Sequence, residues 1–534
     1  MRRTLTAVLS VVAILGLLAP PVFAQAPAAP APKVTINGLV DFVTTIYRNA
    51  TGDVGAGRAR DITNDDDKGW YSRERGVFTI TGEVGKAKGV LALEFDFNNG
   101  RTVTNFEGGG FGGNQGLDIE TDEKGQAEVK WLYLETPITG PGSLMPFIPV
   151  ASIGRFGGQP FRGHDYKPGI QATGDFPGVT LETTWAPNLR STLTYVQIDE
   201  GLDPITNPGG TEDWAILLSV EVDVFKGLTV KPTYSFVRYD QGNSSGNTGT
   251  FARGGFDPNA AAQANKFTYR HTLGGDVRWT SGPFSFQPTF LYQFGKQEVP
   301  SALIPGTTGT QEVDINTFIF DVIGGYRAGP LTIEGRVMYT PGMKANECVQ
   351  NIPGVCSGGS DINTYEVINN GSTSYWAGWS DIEASGVDYN LSLRQNSGNQ
   401  LGRSPSYDKY GRIALGAALD YALTPALIFH AVTNVQWTAE KVDTNSTLVA
   451  GTGTGSLVPV KSSGDKRYLG NEWNLGFTYR FAPNVAFDLI GAYLFVGEAR
   501  DHGPVSPTQP RACASARCEA EDVYKLSARV RLTW

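Results

Sequence analysis

Apolar and polar residues alternate along most of this chain in runs of about ten, with turn residues between the runs. In residues 283–295, Phe284, Phe286, Pro288, Phe290, Tyr292 and Phe294 share one face, and Ser285, Gln287, Thr289 and Gln293 share the other. In 484–497, Val485, Phe487, Leu489, Tyr493 and Phe495 lie opposite Asp488. In 467–481, Trp473, Leu475, Phe477, Tyr479 and Phe481 lie opposite Asn474, Thr478 and Arg480. A period of two predicts β-strands. A soluble sandwich also alternates, but its apolar face is seldom so uniformly large and aromatic.

The connections carry a second pattern. Short ones at 84–89, 185–189, 225–228, 280–283, 327–330, 423–425 and 481–484 alternate with long ones rich in Gly, Asn, Ser and Asp, such as 240–266 and 440–466. Short turns at one end and long loops at the other are the layout of a transmembrane barrel, whereas compact soluble domains rarely tolerate so many long loops. The expectation is an all-β, antiparallel, up-and-down barrel of about 18 strands, with short periplasmic turns and long extracellular loops. Residues 341–407 read as one long loop. A hairpin inside it would raise the count to about 20, and merging weak early strands would lower it to about 16. Aromatic residues gather beside the short turns (Trp185, Phe225, Trp279, Tyr326, Tyr421, Tyr479 and Phe481), where an amphipathic ring suits the membrane interface.

The amino terminus supplies an address. Arg2 and Arg3, the apolar run 5–18 and the small-residue site Val22-Phe23-Ala24 have the layout of a secretory signal peptide spanning 1–24. An Ala/Pro-rich periplasmic linker follows at 25–33, and the barrel occupies 34–534. Beyond the linker, no stretch approaches the roughly 18 consecutive apolar residues of a transmembrane helix. The 66 glycines and the unbroken strand pattern favour one large β-architecture over several domains.

Charge narrows the choice of partner. The net charge of −9 becomes −11 once Arg2 and Arg3 are removed, and no basic patch suggests a nucleic-acid partner. The acidic run 61–67 lacks EF-hand spacing and reads as a solvated loop rather than a metal site. Cys348 with Cys356, and Cys513 with Cys518, sit close in sequence in two separate loops. Export to an oxidising compartment predicts two local disulfides.

If the large apolar faces meet lipid, the opposite faces line a lumen. A lipid-facing Arg or Lys costs about 2–4 kcal/mol at mid-depth. That argument turns inward the cations Arg75, Lys130, Lys231, Arg270, Arg278, Arg336, Arg412, Arg480, Arg529 and Arg531. It turns inward the acids Glu94, Asp96, Glu221, Asp276, Asp321, Glu334, Asp420 and Asp488. Charges of both signs across water suit the passage of small polar solutes.

Three short stretches resemble known proteins. The last strand, ending Ala528-Arg-Val-Arg-Leu-Thr-Trp534, resembles the terminal strand of bacterial outer-membrane barrels, which closes on an aromatic and is read by the barrel-assembly machinery. Residues 34–41 resemble the first strand of Gram-negative porins. Ala151-Ser-Ile-Gly-Arg-Phe156 is similar to the Gly-Arg strand before their constriction loop. Alginate exporters are similar in size and strand count. The resemblance implies an integral outer-membrane barrel for passive diffusion of small hydrophilic solutes, often a homotrimer, with Trp534 part of the assembly signal. It also implies that 157–178 folds inward, making Arg155, Arg162, His164, Asp165 and Lys167 pore-constriction candidates. The 341–407 loop is a rival for that role. A substrate-selective barrel of polysaccharide export or uptake type, and a non-conducting structural or adhesive barrel, remain open. Catalysis is not expected, since His164, His271, His430 and His502 are the only histidines, no His-Glu-x-x-His is present, and the Gly-x-Ser-x-Gly at Gly242-Asn-Ser-Ser-Gly246 falls in a long polar loop rather than at a strand-to-helix turn. No cofactor is expected either.

Overall fold

A computed structural model describes residues 31–49, 68–99, 119–120, 126–161, 164, 166–167, 169–200, 212–239, 268–300, 310–347, 361–369, 375–384, 386–387, 405–442, 444, 464–501 and 519–534. The signal peptide, residues 25–30 of the linker, the acidic run 61–67 and the four cysteines lie outside the described residues.

Eighteen long strands follow one another. They begin with β1 (Lys33–Arg48), β2 (Lys68–Val84), β3 (Ala87–Asn99), β4 (Gln126–Thr139), β5 (Ala151–Pro160) and β6 (Asp175–Ala186). Next come β7 (Leu189–Glu200), β8 (Glu212–Phe225), β9 (Leu228–Tyr239), β10 (Thr268–Ser281), β11 (Phe284–Pro300) and β12 (Thr310–Ala328). The last are β13 (Leu331–Thr340), β14 (Arg412–Ala422), β15 (Leu427–Val442), β16 (Lys466–Ala482), β17 (Val485–Val496) and β18 (Val523–Thr533). Each pairs antiparallel with its sequence neighbours, and β18 returns to β1 in the register Leu39↔Thr533 to Arg48↔Tyr524. The sheet is therefore closed, and its backbone groups are satisfied without a free edge. The two-residue strand Ile119–Glu120 adds a short pairing to β4.

Turn chemistry sets the short-turn end. Gly282 and Gly329 adopt φ of 55° and 56°, and Asn484 takes the same left-handed region at 63°, a conformation open to glycine and tolerated by asparagine. These residues let β10–β11, β12–β13 and β16–β17 reverse in two residues. Both the start of β1 and the end of β18 lie at this end too, as Lys33 pairs with Glu83 beside the β2–β3 turn.

Residues 341–411, between β13 and β14, contain no barrel strand among the described residues. Instead the chain turns into the barrel, and its two-residue strand Ile368–Asn369 pairs in parallel with Ala172–Thr173 of the 161–174 connection. A buried apolar cluster joins Ile170, Tyr365, Val367, Tyr375, Trp376, Trp379 and Ala384 of these segments to Leu291, Ile319, Met338 and Ala414 of the wall.

Candidate permeation pathway

The outer surface carries the large apolar side chains. Phe42, Phe286, Phe290, Val337, Leu415, Leu475 and Val530 are all exposed and lie on strand positions that alternate with the charged ones. Near the short turns, Trp185, Phe225, Tyr326, Tyr421, Tyr479 and Phe481 are likewise exposed. Towards the long-loop end a second aromatic band includes Tyr195, Trp214, Phe236, Tyr292, Phe294 and Tyr493. An apolar belt bounded by two aromatic girdles is what a bilayer demands. This is a membrane-spanning β-barrel of the outer-membrane type.

The inner wall is ionic, and the strand register makes it so by placing opposite charges at neighbouring inward positions. Arg75 donates to both carboxylate oxygens of Asp96 at 2.7 and 2.6 Å and pairs with Glu94 at 3.1 Å, while Lys130 pairs with Glu94 at 2.7 Å. Arg155 bridges Glu135 at 2.7 Å and Glu182 at 2.6 Å. Lys231 pairs with Glu221 at 2.8 Å, and Arg529 with Asp488 at 2.8 Å. Such charge-assisted bonds across adjacent strands stiffen the wall and leave little net field where they close on themselves. At the short-turn end Arg480 and Arg531 lie inward between the outward pairs Tyr479/Phe481 and Val530/Leu532. Glu334 shares the inner face of β13 with Arg336, and Asp420 bonds His430 Nδ1 at 2.7 Å. A cavity of about 180 Å³ opens among Glu182, Thr184, Arg190, Thr192, Ser219, Glu221 and Lys231.

The 161–174 connection enters this lumen. The resemblance to porins put its bounds at 157–178, but β5 and β6 continue their ladder to Pro160↔Asp175, which shortens the inward segment. His164 is fully buried, bonds Thr194 Oγ1 through Nε2 at 2.8 Å and stacks on Phe161 at 5.3 Å. Tyr166 donates its amide to Asp276 at 3.3 Å and its hydroxyl to Glu221 at 3.0 Å. Lys231 and Arg278 lie 4.2 and 4.1 Å from its ring centroid. Lys167 reaches further across to β11 and β12, donating to Thr289 Oγ1 at 2.7 Å and to the Asp321 carbonyl at 2.6 Å.

His164, one of the constriction candidates, has no exposed surface. Burial above all, with the Lys231 ammonium adding to it, pushes its imidazole from 6.5 down to about 3. A released segment takes up a proton below about 6.5, whereas the docked one does not. Docking is therefore fully stable above that pH and loses about 1.4 kcal/mol for each unit below it, until His164 protonates in place. Current fluctuations of the reconstituted protein are expected to grow between pH 7 and pH 5, and His164→Gln is expected to flatten that dependence. A pH response identical in the variant would remove His164 from the account.

The 341–411 segment fills more of the lumen. Trp376 and Trp379 cover Arg336, whose guanidinium lies 4.1 Å from the Trp376 ring centroid. Glu472 of β16 is fully buried and accepts from Ser380 Oγ at 2.5 Å and from the amides of Asp381 and Ile382 at 2.8 and 3.0 Å. Glu383 pairs with Arg412 at 3.3 Å and also with Arg500. Asp381 pairs with Lys525 at 2.9 Å, and Glu366 with Arg270 at 2.6 Å. Gln293 bonds the Glu366 backbone and Asn434 the Trp379 carbonyl, so Glu472, Lys525, Arg270, Gln293 and Asn434 together hold the segment in place. Their inward positions are legible in the sequence, but nothing local says that a distant loop will cover them.

The expected site residues therefore separate into three groups. Arg270, Asp276, Asp321, Arg336 and Arg412 lie on the inner wall beneath the inward segments. Arg75, Glu94, Asp96, Lys130, Glu221, Lys231, Asp488 and Arg529 form ion pairs on the wall, and Arg278, Glu334, Asp420, Arg480 and Arg531 lie inward near the short turns. Among the described constriction candidates, Arg155 closes on Glu135 and Glu182, whereas Lys167 lies beside Asp321. Arg162 and Asp165 lie outside the described residues.

No protein-family model and no curated protein matches this chain. Among solved structures, it is similar to Pseudomonas aeruginosa OccK5 (OpdH), at 11% identity over 93% of this chain and 97% of that one, with a TM-score of 0.43. It is similar to P. aeruginosa OccK8 (OprE) at 10% identity over 94% and 98%, with a TM-score of 0.47. For Acinetobacter baumannii OccAB4 the values are 10%, 93%, 98% and 0.46.

Proposed function

We propose that this protein is an outer-membrane channel for the passive diffusion of small hydrophilic solutes, narrowed where the two inward segments meet. One observation carries the reading: a closed wall of 18 strands presents apolar side chains outward and a largely ionic and hydroxylated face inward, apolar only where the inward segments cover it. A barrel this wide encloses more volume than wall side chains can fill, and a polar lining admits hydrated solutes while penalising apolar ones. The signal-peptide layout supports delivery through the periplasm. The likeness of the last strand to terminal barrel strands supports recognition by the barrel-assembly machinery, and the porin resemblance supports association as a homotrimer. The inward segments support selectivity over free flow, since they occupy part of the lumen.

Purified protein in planar lipid bilayers is expected to give discrete, ohmic, long-lived conductance steps. Ion selectivity is expected to be weak with a slight cation preference, because wall charges pair off while the long loops are acidic and concentrate cations within about 8 Å at physiological salt. Silent bilayers with correctly folded protein would overturn the channel in favour of a structural barrel. A strong anion preference would contradict the balance of lumenal charge.

A further inference from the structure

Asp321 of β12 has no exposed surface and receives donors from three directions. From the first inward segment, the Lys167 ammonium pairs with Oδ1 at 3.2 Å while donating to the Asp321 carbonyl and to Thr289. From the second, Tyr375 donates its hydroxyl to Oδ2 at 2.6 Å. From the wall, Arg336 donates Nε to both oxygens at 3.2 and 3.1 Å and Nη2 to Oδ2 at 2.7 Å. One carboxylate thus holds both segments. The segments also hold each other: Tyr365 Oη donates to the Ile170 carbonyl at 2.9 Å, and the Ile368 amide to the Gln171 carbonyl at 3.0 Å.

We propose that Asp321 is the positioning residue of the aperture, and that it couples the two inward segments into a single plug that releases as a unit. The physical reason is the charge it balances. Without the Asp321 carboxylate, the buried Lys167 ammonium and Arg336 guanidinium face each other with their shared counter-ion gone. Asp276, which shares the Thr289 hydroxyl with Lys167, is already engaged by that hydroxyl and by the Tyr166 amide. Buried like charges of this kind separate or draw in water. Lys167 can leave only by withdrawing the first segment. That withdrawal breaks the Ile170 and Gln171 contacts that brace the second, so neither segment is stable inside without the other. The consequence for aperture rests on the reading of the protein as a channel, but the coupling itself does not.

Hydrogen–deuterium exchange on the full-length folded barrel tests the coupling directly. Asp321→Asn, which keeps shape and removes charge, is expected to speed exchange at both the Ile170 and Ile382 amides by at least about tenfold relative to wall amides such as Leu217. Lys167→Met is expected to speed Trp379 and Ile382 in the other segment as well as Ile170 in its own, and Tyr375→Phe to speed Ile170. Lys167→Arg, which keeps the charge, is expected to stay near wild type. Effects confined to the mutated segment, or an unchanged Asp321→Asn, would overturn the proposal. If Asp321→Asn does not fold, the Lys167→Met and Tyr375→Phe pair decides it. In bilayers, Asp321→Asn is expected to give larger and noisier steps. A silent wild type would sink the channel reading, while the exchange data would still decide the coupling.

Discussion

Deleting Trp534 is expected to lower the amount of folded, heat-modifiable barrel several-fold while leaving export through the inner membrane intact. The residue directly follows β18, which closes the barrel against β1 from Leu39↔Thr533 to Arg48↔Tyr524. Its amide donates to the Gly38 carbonyl at 3.1 Å, and its carbonyl accepts from the Gly38 amide at 3.0 Å. These are the last main-chain bonds of the seam at the short-turn end. An unpaired backbone group at the membrane edge costs several kcal/mol, so the seam resists fraying only while its last pair is made. The indole adds to this from outside. It packs edge-on against Phe78 with centroids 5.5 Å apart, a contact of about 0.5–1.5 kcal/mol. It also lies over Gly38, where a Cβ would collide with the ring. Gly38→Val should therefore reproduce part of the loss by displacing the indole without shortening the chain. Thr533→Ala, an exposed neighbour, is the control. Heat-modifiability on gels and protease protection in membranes measure the outcome, and deletion behaving like the control would show that the terminus is dispensable for closure.

The second large effect belongs to the lumen. Replacing residues 375–384 with a Gly/Ser stretch of equal length is expected to raise single-channel conductance several-fold without opening the barrel. Those residues carry Tyr375, Trp376 and Trp379 into the apolar cluster, and Ser380 with the Asp381 and Ile382 amides onto Glu472. Removing them leaves Glu472 and Arg336 without those contacts and exposes Leu291, Ile319 and Met338 to lumenal water. Buried donors or charges that lose a partner cost about 1–5 kcal/mol each, so the remaining chain gains little by staying inside. The wall persists because its strength lies in the strand ladders, which the exchange does not touch. Conductance unchanged from wild type in folded protein would show that the open path runs elsewhere, past the Glu182–Lys231 cavity. A single variant, Glu472→Ala, should move conductance in the same direction by a smaller amount.

Much of this protein is written locally in its chain, for a definite physical reason. A strand facing lipid on one side and water on the other must alternate residue by residue, so β11, β16 and β17 announce themselves through Phe284–Phe294, Trp473–Phe481 and Val485–Phe495. Tight reversals need glycine or asparagine, and Gly282, Gly329 and Asn484 mark them. Charges cannot face hydrocarbon, so inward residues such as Arg75, Asp321 and Arg529 follow from their neighbours. Barrel closure itself follows, because no edge is tolerable in a bilayer. What occupies the lumen was decided only by tertiary structure. Leu291 between Phe290 and Tyr292, and Ile319 between Phe318 and Phe320, break the alternation and signal an apolar inner patch. Yet no period or spacing says which loop will cover them. Residues 341–411 do so because Tyr375, Trp376 and Trp379 gain burial, and Asp381 and Glu383 gain buried cations, from strands more than a hundred residues away in some cases. The 161–174 segment enters for the same kind of reason: Lys167 finds its counter-charge on β12, and His164 exchanges its charge for burial. Local sequence specifies a wall through the period of the strand, while the contents of the wall depend on contacts that form only once it has closed.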